Sequence, residues 1–106
     1  SVVVPVRDEA PNVEALAREI ATVLDGRAYE MIFVDDSSTD DTRERLLRLK
    51  RELPALRLVG HRTNAGQSRA VRTGVRHARA PVVVTLDGDG QNDPADIPAL
   101  LARLNR

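Results

Sequence analysis

The chain has 106 residues, which bounds it to a single domain. Its 16 lysine and arginine residues balance 16 acidic ones, so the formal net charge is zero and a nucleic acid is not expected as a partner. The absence of cysteine excludes disulfides and thiolate metal sites, and it favours a cytoplasmic location. No apolar run approaches the roughly 18 residues that a membrane span needs.

Four short apolar runs alternate with four helical patterns along the chain. The runs predict strands at 2–6, 30–34, 56–59 and 82–86, and they are nearly continuous, as in strands buried on both faces. Helical spacing of apolar or small residues is found in four sets: Val13, Leu16, Ala17, Ile20, Val23 and Leu24; Thr42, Leu46, Leu49 and Leu53; Val71, Gly74, Val75 and Ala78; Ile97, Leu100, Leu101 and Leu104. This alternation predicts an α/β fold of three layers with a mainly parallel sheet, in the strand order 3-2-1-4.

Local signals set the expected boundaries of these elements. Ser38 and Asp41 have the spacing of a capping box at the start of the second helix. Pro54 is expected to end that helix, and Pro81 to start the fourth strand.

Ligands of such sheets bind beyond the carboxyl ends of the strands. The segments that follow the four predicted strands read RDEAPN, DDSSTDD, GHRTNAG and DGDGQNDP, and three of them are rich in acidic residues. Carboxylates gathered at one edge repel each other unless a cation joins them, and Mg²⁺ and Mn²⁺ prefer oxygen ligands. Asp87 and Asp89 can therefore supply one carboxylate to a metal and aim the other at a sugar hydroxyl.

Each acidic residue also has a simpler interpretation. Asp87 and Asp89 are typical of a polar turn before a helix, and Glu9 suits the dipole of the helix that follows it. Asp36 could be a solvated loop residue, and Asp35 is expected to have a structural role.

The basic residues of the third loop and helix have simple interpretations as well. His61 and His77 are predicted to be a loop residue and a solvated helix residue. A stripe at helical spacing is predicted to be a solvated face, or to contact anionic lipid headgroups; it consists of Arg69, Arg72, Arg76 and Arg79.

Four segments in succession resemble the signatures of family 2 glycosyltransferases of the GT-A fold: VVVPVRDEAPNV, IFVDDSSTDDT, NAGQSRAVRTGVRHA and VVVTLDGDGQNDP. The resemblance covers essentially the whole chain. It implies that residues 1–106 are the N-terminal nucleotide-sugar-binding part of a longer transferase domain. The form of DGDGQNDP is similar to that of the polyprenyl-phosphate branch of the family. The implied activity is inverting transfer of a sugar from a nucleotide-diphosphate donor to a polyprenyl phosphate, at the cytoplasmic face of a membrane.

The resemblance also implies roles for individual residues. Those implied to bind the nucleotide-sugar are Pro5, Arg7, Glu9, Val34, Asp36, Asp87 and Gly88. Asp89, with Gln91, is implied to hold Mg²⁺ or Mn²⁺. Arg7 departs from the aromatic residue often found at its position, although a guanidinium can also stack on a base. No general base is identified.

Other classes of protein fit the sequence less well. A calcium-binding EF-hand would need a bidentate Glu where this chain has Pro98, and a strand precedes the acidic segment where a helix should. A non-catalytic module that binds a nucleotide-sugar or a metal stays an alternative. The predicted fourth strand should leave an apolar sheet edge exposed, so the chain is expected to self-associate through that edge.

Overall fold

Strands and helices alternate throughout the part of the chain that this computed structural model describes, residues 1–86 and 94–98. In chain order the elements are β1 (Val2–Val6), α1 (Ala10–Val23), β2 (Met31–Asp36), α2 (Thr42–Glu52), β3 (Leu56–His61), α3 (Gln67–His77) and β4 (Val84–Thr85), followed by a short 3-10 helix (Pro94–Asp96). The predicted order of elements is confirmed through β4. Most of the predicted fourth helix lies outside the described residues.

The four strands form one parallel sheet in the order β3-β2-β1-β4, which confirms the predicted topology. Side chains alternate across β1: Val2, Val4 and Val6 pack with residues of α1 and α2, whereas Val3 packs with Ala70 of α3. Helices therefore cover both faces of the sheet, and β1 and β2 are buried along their whole length. The fold has three layers, as the continuous apolar runs indicate.

The fourth strand is more exposed than the sequence predicts. β4 has only two residues, and Val82 and Val83 before it are 37% and 36% exposed. Among the described residues β4 pairs with β1 alone, so it is an edge strand. The prediction that this run is buried on both faces is wrong, and Pro81 lies three residues before the strand begins.

The predicted capping box is also wrong. Helix α2 begins at Thr42, and its N-cap residue, Asp41, makes no capping hydrogen bond through its side chain. The backbone N–H and the hydroxyl of Ser38 instead donate to Asp35, which confirms the structural role expected for Asp35. The end of α2 at Glu52, two residues before Pro54, agrees with the prediction.

Helix α3 packs against the sheet through its smallest residues. Its buried residues are Ala70 and Gly74, whereas Val75, which the predicted stripe includes, is 45% exposed. A Cβ atom added to Gly74 would lie 2.2 Å from Cγ1 of Val3. The helix therefore approaches β1 too closely for a larger residue at position 74.

We expect Gly74→Ala to destabilise the fold. Alanine favours a helix by about 1 kcal/mol over glycine, but overpacking a core costs about 1–3 kcal/mol. We expect a net loss of about 1–2 kcal/mol in the free energy of unfolding, measured by urea denaturation. Val3→Ala should cost less in the Gly74→Ala protein than in the wild type, because it removes the clashing methyl group. Strictly additive losses would contradict the proposed contact.

Glu30 joins three segments at the end of the sheet where β2 begins. Its carboxylate accepts hydrogen bonds from the guanidinium of Arg57 (2.6 Å), the backbone N–H of Arg79 (2.6 Å) and the hydroxyl of Ser1. Burial acts to raise the pKa of Glu30, but these hydrogen bonds outweigh burial and lower the pKa from 4.5 to about 2. The ionised carboxylate thus stabilises the folded state.

This pKa predicts a pH dependence of stability. A lowered carboxyl pKa contributes stability above the unfolded value of 4.5, and that contribution is lost as the pH falls towards about 2. At neutral pH the contribution is up to about 3 kcal/mol. We therefore expect Glu30→Gln to lower stability at pH 7 and to flatten the acid side of the stability profile, measured by urea unfolding across pH. Glu19→Gln, which changes an exposed carboxylate that forms no ion pair with the described residues, is the matched control and should change stability far less.

Candidate functional site

The carboxyl ends of β1, β2 and β3 meet at one end of the sheet, which we call the carboxyl edge. Parallel pairing sets Pro5 of β1 beside Val34 of β2, and Asp36 ends β2. Arg7, exposed, and Glu9, partly exposed, follow β1 directly. The structure therefore brings to one edge five of the residues that are predicted to bind the nucleotide-sugar.

These five residues differ in what they can offer to a ligand. The side chain of Val34 is fully buried and belongs to the cluster of Val3, Ile32 and Ala70, so only its backbone groups can face a ligand. Arg7 has an exposed side chain, so its guanidinium is accessible to a ligand. The roles assigned to all five stay predictions.

The four remaining predicted residues, Asp87, Gly88, Asp89 and Gln91, lie outside the described residues. The strand that precedes them, β4, runs parallel to β1 and is paired with it. The chain thus heads from Thr85 towards the carboxyl edge, two residues before Asp87.

Asp8 links the first two loops, and its role was missed by the sequence analysis. One of its carboxylate oxygens accepts hydrogen bonds from the backbone N–H groups of Thr39 (2.6 Å) and Asp40 (3.2 Å) and from the hydroxyl of Thr39 (3.1 Å). These backbone hydrogen bonds lower the pKa of Asp8. Its own backbone is left-handed, with φ +54°, a conformation that Asp adopts more readily than most residues. An Asp in a short loop beside a helix start is the only sequence signal for this role.

Asp40 strengthens the same connection from the opposite side. Its carboxylate accepts the backbone N–H of Ala10 (3.2 Å) and both the N–H (2.9 Å) and the hydroxyl of Thr42. The hydroxyl of Thr42 in turn accepts the N–H of Glu9 (3.0 Å). These hydrogen bonds therefore connect the starts of α1 and α2, and acidic side chains accept hydrogen bonds from backbone N–H groups there.

Asp36 fixes the third loop to the end of β2. Its Oδ1 atom accepts the backbone N–H of Ala65 (2.8 Å) and pairs with Nδ1 of His61 (2.8 Å), and its Oδ2 atom accepts the N–H of Gly66 (2.9 Å). Burial acts to raise the pKa of Asp36, but the hydrogen bonds from Ala65, His61 and Gly66 outweigh burial and lower it. Gly66 has φ +92°, which an L side chain rarely adopts. The carboxylate is ionised and largely committed to the fold.

His61 is not the loop residue that the sequence analysis predicts. It is the last residue of β3 and the register partner of Asp36, and its Nε2 atom lies 2.8 Å from the hydroxyl of Thr73 in α3. A hydrogen-bonded chain therefore runs from Asp36 through His61 to Thr73. The sequence signal that could have found this pair is that Asp36 and His61 each lie two residues after a predicted strand, and the two strands are neighbours in the predicted sheet.

The described residues alone do not form a metal site. Within residues 1–86 and 94–98, no group of three His, Asp or Glu side chains could hold a metal ion. The carboxylates of Asp8, Asp35, Asp36 and Asp40 accept hydrogen bonds from protein donors instead. A divalent metal at this edge would depend on the acidic segment after β4.

The sequence model of glycosyl transferase family 2 matches residues 1–106, the whole chain. The chain belongs to this family. It is 39% identical over 109 residues to a dodecaprenyl-phosphate galacturonate synthase of Rhizobium johnstonii, and 34% identical over 107 residues to an undecaprenyl-phosphate 4-deoxy-4-formamido-L-arabinose transferase of Salmonella paratyphi B. These matches cover 100% and 97% of the chain. The chain spans about a third of each relative, 32% in both cases.

Solved structures of glycosyltransferases have the same fold. A mannosyltransferase from Pyrobaculum calidifontis, in complex with GDP-Man and Mn²⁺, superposes with a TM-score of 0.80 at 33% identity, over 92% of this chain and 29% of that one. Glucosyl-3-phosphoglycerate synthase from Mycobacterium tuberculosis, in complex with Mn²⁺, UDP and glucosyl-3-phosphoglycerate, gives a TM-score of 0.78 at 26% identity, over 97% and 38%. The expected GT-A fold is thereby confirmed for this family 2 chain.

Asp36→Asn should loosen the third loop. An amide side chain lacks the charge and presents an NH₂ group to one of the N–H donors, so we expect a loss of about 2–3 kcal/mol in the free energy of unfolding. Hydrogen exchange of the Ala65 and Gly66 amides should accelerate with it. Asp35→Asn is the matched control, because it changes the adjacent buried carboxylate, which binds Ser38 instead. Equal exchange at Ala65 and Gly66 in wild type and Asp36→Asn would refute the assignment.

Proposed function

We propose that this chain is the donor-binding, N-terminal part of a longer inverting glycosyltransferase. It would move a sugar from a nucleotide diphosphate to a polyprenyl phosphate. The observation that carries the proposal is the carboxyl edge, where the loops after β1, β2 and β3 are cross-linked by hydrogen bonds in a family 2 chain of GT-A fold. Two relatives that match 100% and 97% of this chain are named as polyprenyl-phosphate sugar transferases, which supports the acceptor class.

The donor would lie across the ends of β1, β2 and β4. Pro5, Arg7 and Glu9 are proposed to line the base and ribose pocket, with the backbone of Val34 and the carboxylate of Asp36 beside the base. The Oδ2 atom of Asp36 accepts a hydrogen bond from the backbone N–H of Gly66, and a carboxylate oxygen can accept two hydrogen bonds. Asp36 can thus hold the loop and still accept a base N–H. Asp87 and Gly88 are proposed to meet the ribose and the diphosphate.

A divalent metal is proposed at Asp89, with Gln91 as a second oxygen ligand. Mg²⁺ or Mn²⁺ suits such hard ligands together with substrate phosphates, and the Mn²⁺ in the two related structures supports this choice. When bound, the metal would stabilise the negative charge that develops on the departing nucleotide diphosphate. Asp87 and Asp89 would have to divide these roles, one towards the sugar and one towards the metal.

The acceptor is proposed to be a lipid phosphate at the cytoplasmic face of a membrane. Its phosphate oxygen is already anionic at neutral pH, so attack on the sugar does not require a general base. No helix within residues 1–86 and 94–98 is long and apolar enough to cross a membrane. Self-association through the β4 edge, where Val82 and Val83 are exposed, stays part of the proposal.

A module that binds a nucleotide-sugar without turnover is the second candidate. Its support is that the residues assigned in this chain are proposed to bind the donor and the metal, and none of them is assigned as a general base or to the acceptor. Transfer of a labelled sugar to a polyprenyl phosphate by the 106 residues alone would exclude it.

The proposed donor site predicts metal-dependent nucleotide binding. Titration calorimetry with GDP and UDP should show binding in the presence of Mn²⁺ that weakens at least about tenfold when the metal is chelated. Asp89→Ala should reduce binding to the level seen with chelator. Asp93→Ala, which removes a nearby acid with no assigned role, is the matched control and should bind like the wild type. Equal, metal-independent binding by wild type and Asp89→Ala would contradict the metal role.

A further inference from the structure

A groove rich in arginine lies between the end of β3 and the outer side of α3. We call it the arginine groove; four of its lining residues are Arg62, Arg69, Arg72 and Arg76. His61 and Thr73 lie at its base, and its volume is about 580 Å³. Cavities of this size accept small ligands. Among the residues that the structure describes, none that is proposed to hold the donor lines this groove.

The four guanidinium groups have no acidic partners in the part of the chain that the structure describes. No Asp or Glu lines the groove, and none of the four arginines forms an ion pair with residues 1–86 or 94–98. All four are exposed. Elsewhere Arg18, Arg45 and Arg57 are paired with Glu14 and Glu52, Asp41 and Glu30 respectively. Arg27, Arg48 and Arg51 also form no ion pair with the described residues, so what distinguishes the groove is that its four arginines line one cavity.

A bound anion would relieve the repulsion between these arginines. Arg69, Arg72 and Arg76 are three or four residues apart on α3, a spacing at which like charges repel. The chain is neutral as a whole, so the concentration of positive charge is local. Guanidinium groups bind phosphate oxygens through two parallel hydrogen bonds. A phosphate has more oxygen atoms than a carboxylate, so it can accept hydrogen bonds from several arginines at once.

We propose that the arginine groove binds phosphate-bearing anions, at a site separate from the proposed donor site. The ligand can be a soluble phosphate compound or the phosphate of a lipid headgroup. A lipid headgroup would hold this face of α3 against the membrane that carries the proposed acceptor, and this part alone rests on the proposed function. The groove reaches the carboxyl edge, because His61 ends β3 and Arg62 follows it directly.

The test compares two triple variants of the purified protein that lose the same charge. Arg69→Gln/Arg72→Gln/Arg76→Gln removes the helical part of the groove, and Arg27→Gln/Arg48→Gln/Arg51→Gln is the matched control on other exposed surfaces. Circular dichroism checks that both are folded. One arm measures inorganic pyrophosphate binding by calorimetry, and the other measures co-sedimentation with phosphatidylglycerol vesicles against phosphatidylcholine vesicles. Both use EDTA and no nucleotide, so the proposed metal and donor site contributes to neither.

We expect wild type and the control variant to bind in at least one arm, and the groove variant to bind at least about tenfold more weakly there. Binding to pyrophosphate alone identifies a soluble ligand, and binding to anionic vesicles identifies a headgroup. The proposal is overturned by the absence of binding in both arms or by equal weakening in the two variants. Metal-dependent GDP or UDP binding is measured separately, so failure of one proposal leaves the other intact.

Discussion

The buried, ionised carboxylate of Asp36 holds the carboxyl edge together. It ends β2 and accepts hydrogen bonds from the two backbone N–H groups that precede α3, while it pairs with His61 at the end of β3. Removing such a charge from water is costly, and several donors are needed to offset the cost. The consequence is that the third loop has one conformation, with Gly66 at φ +92°, and that α3 starts at a fixed place relative to the sheet.

The other acids of this edge follow the same rule. Sequence reasoning assumes that carboxylates in neighbouring loops need a shared cation. For Asp8 and Asp40 the positive partners are backbone N–H groups at the starts of α1 and α2, where a negative charge is also favoured by the helix dipole. The first two acidic loops are therefore structural to a larger degree than their composition suggests. This leaves the metal proposal to depend on Asp89 and Gln91 rather than on the whole set of acids.

Much of the fold can be predicted because strands that are buried on both faces have continuous apolar sequences. The runs around Val4 and Phe33 are continuous and apolar because helices cover both faces of β1 and β2, and their order follows from parallel crossovers. The errors arise where the environment of a residue depends on an element that is distant in the sequence. Val75 was predicted to be buried, but the close approach of α3 to Val3 leaves room only for Ala70 and Gly74. The role of His61 depends on the register between β2 and β3, which no local pattern encodes.

A net charge of zero conceals a separation of charge between two neighbouring regions. On the side of β1 and β2 the acids are satisfied by backbone donors, so little negative charge is left without a partner among the described residues. Beside the outer side of α3, four arginines line a groove in which the described residues include no acid. The hydrogen-bonded chain from Asp36 through His61 to Thr73 joins the two regions, since Asp36 holds the third loop and Thr73 lines the groove. Charge balance over the whole sequence therefore says little about the ligands of either region, and the local pairing of each charged group decides which ligands it can bind.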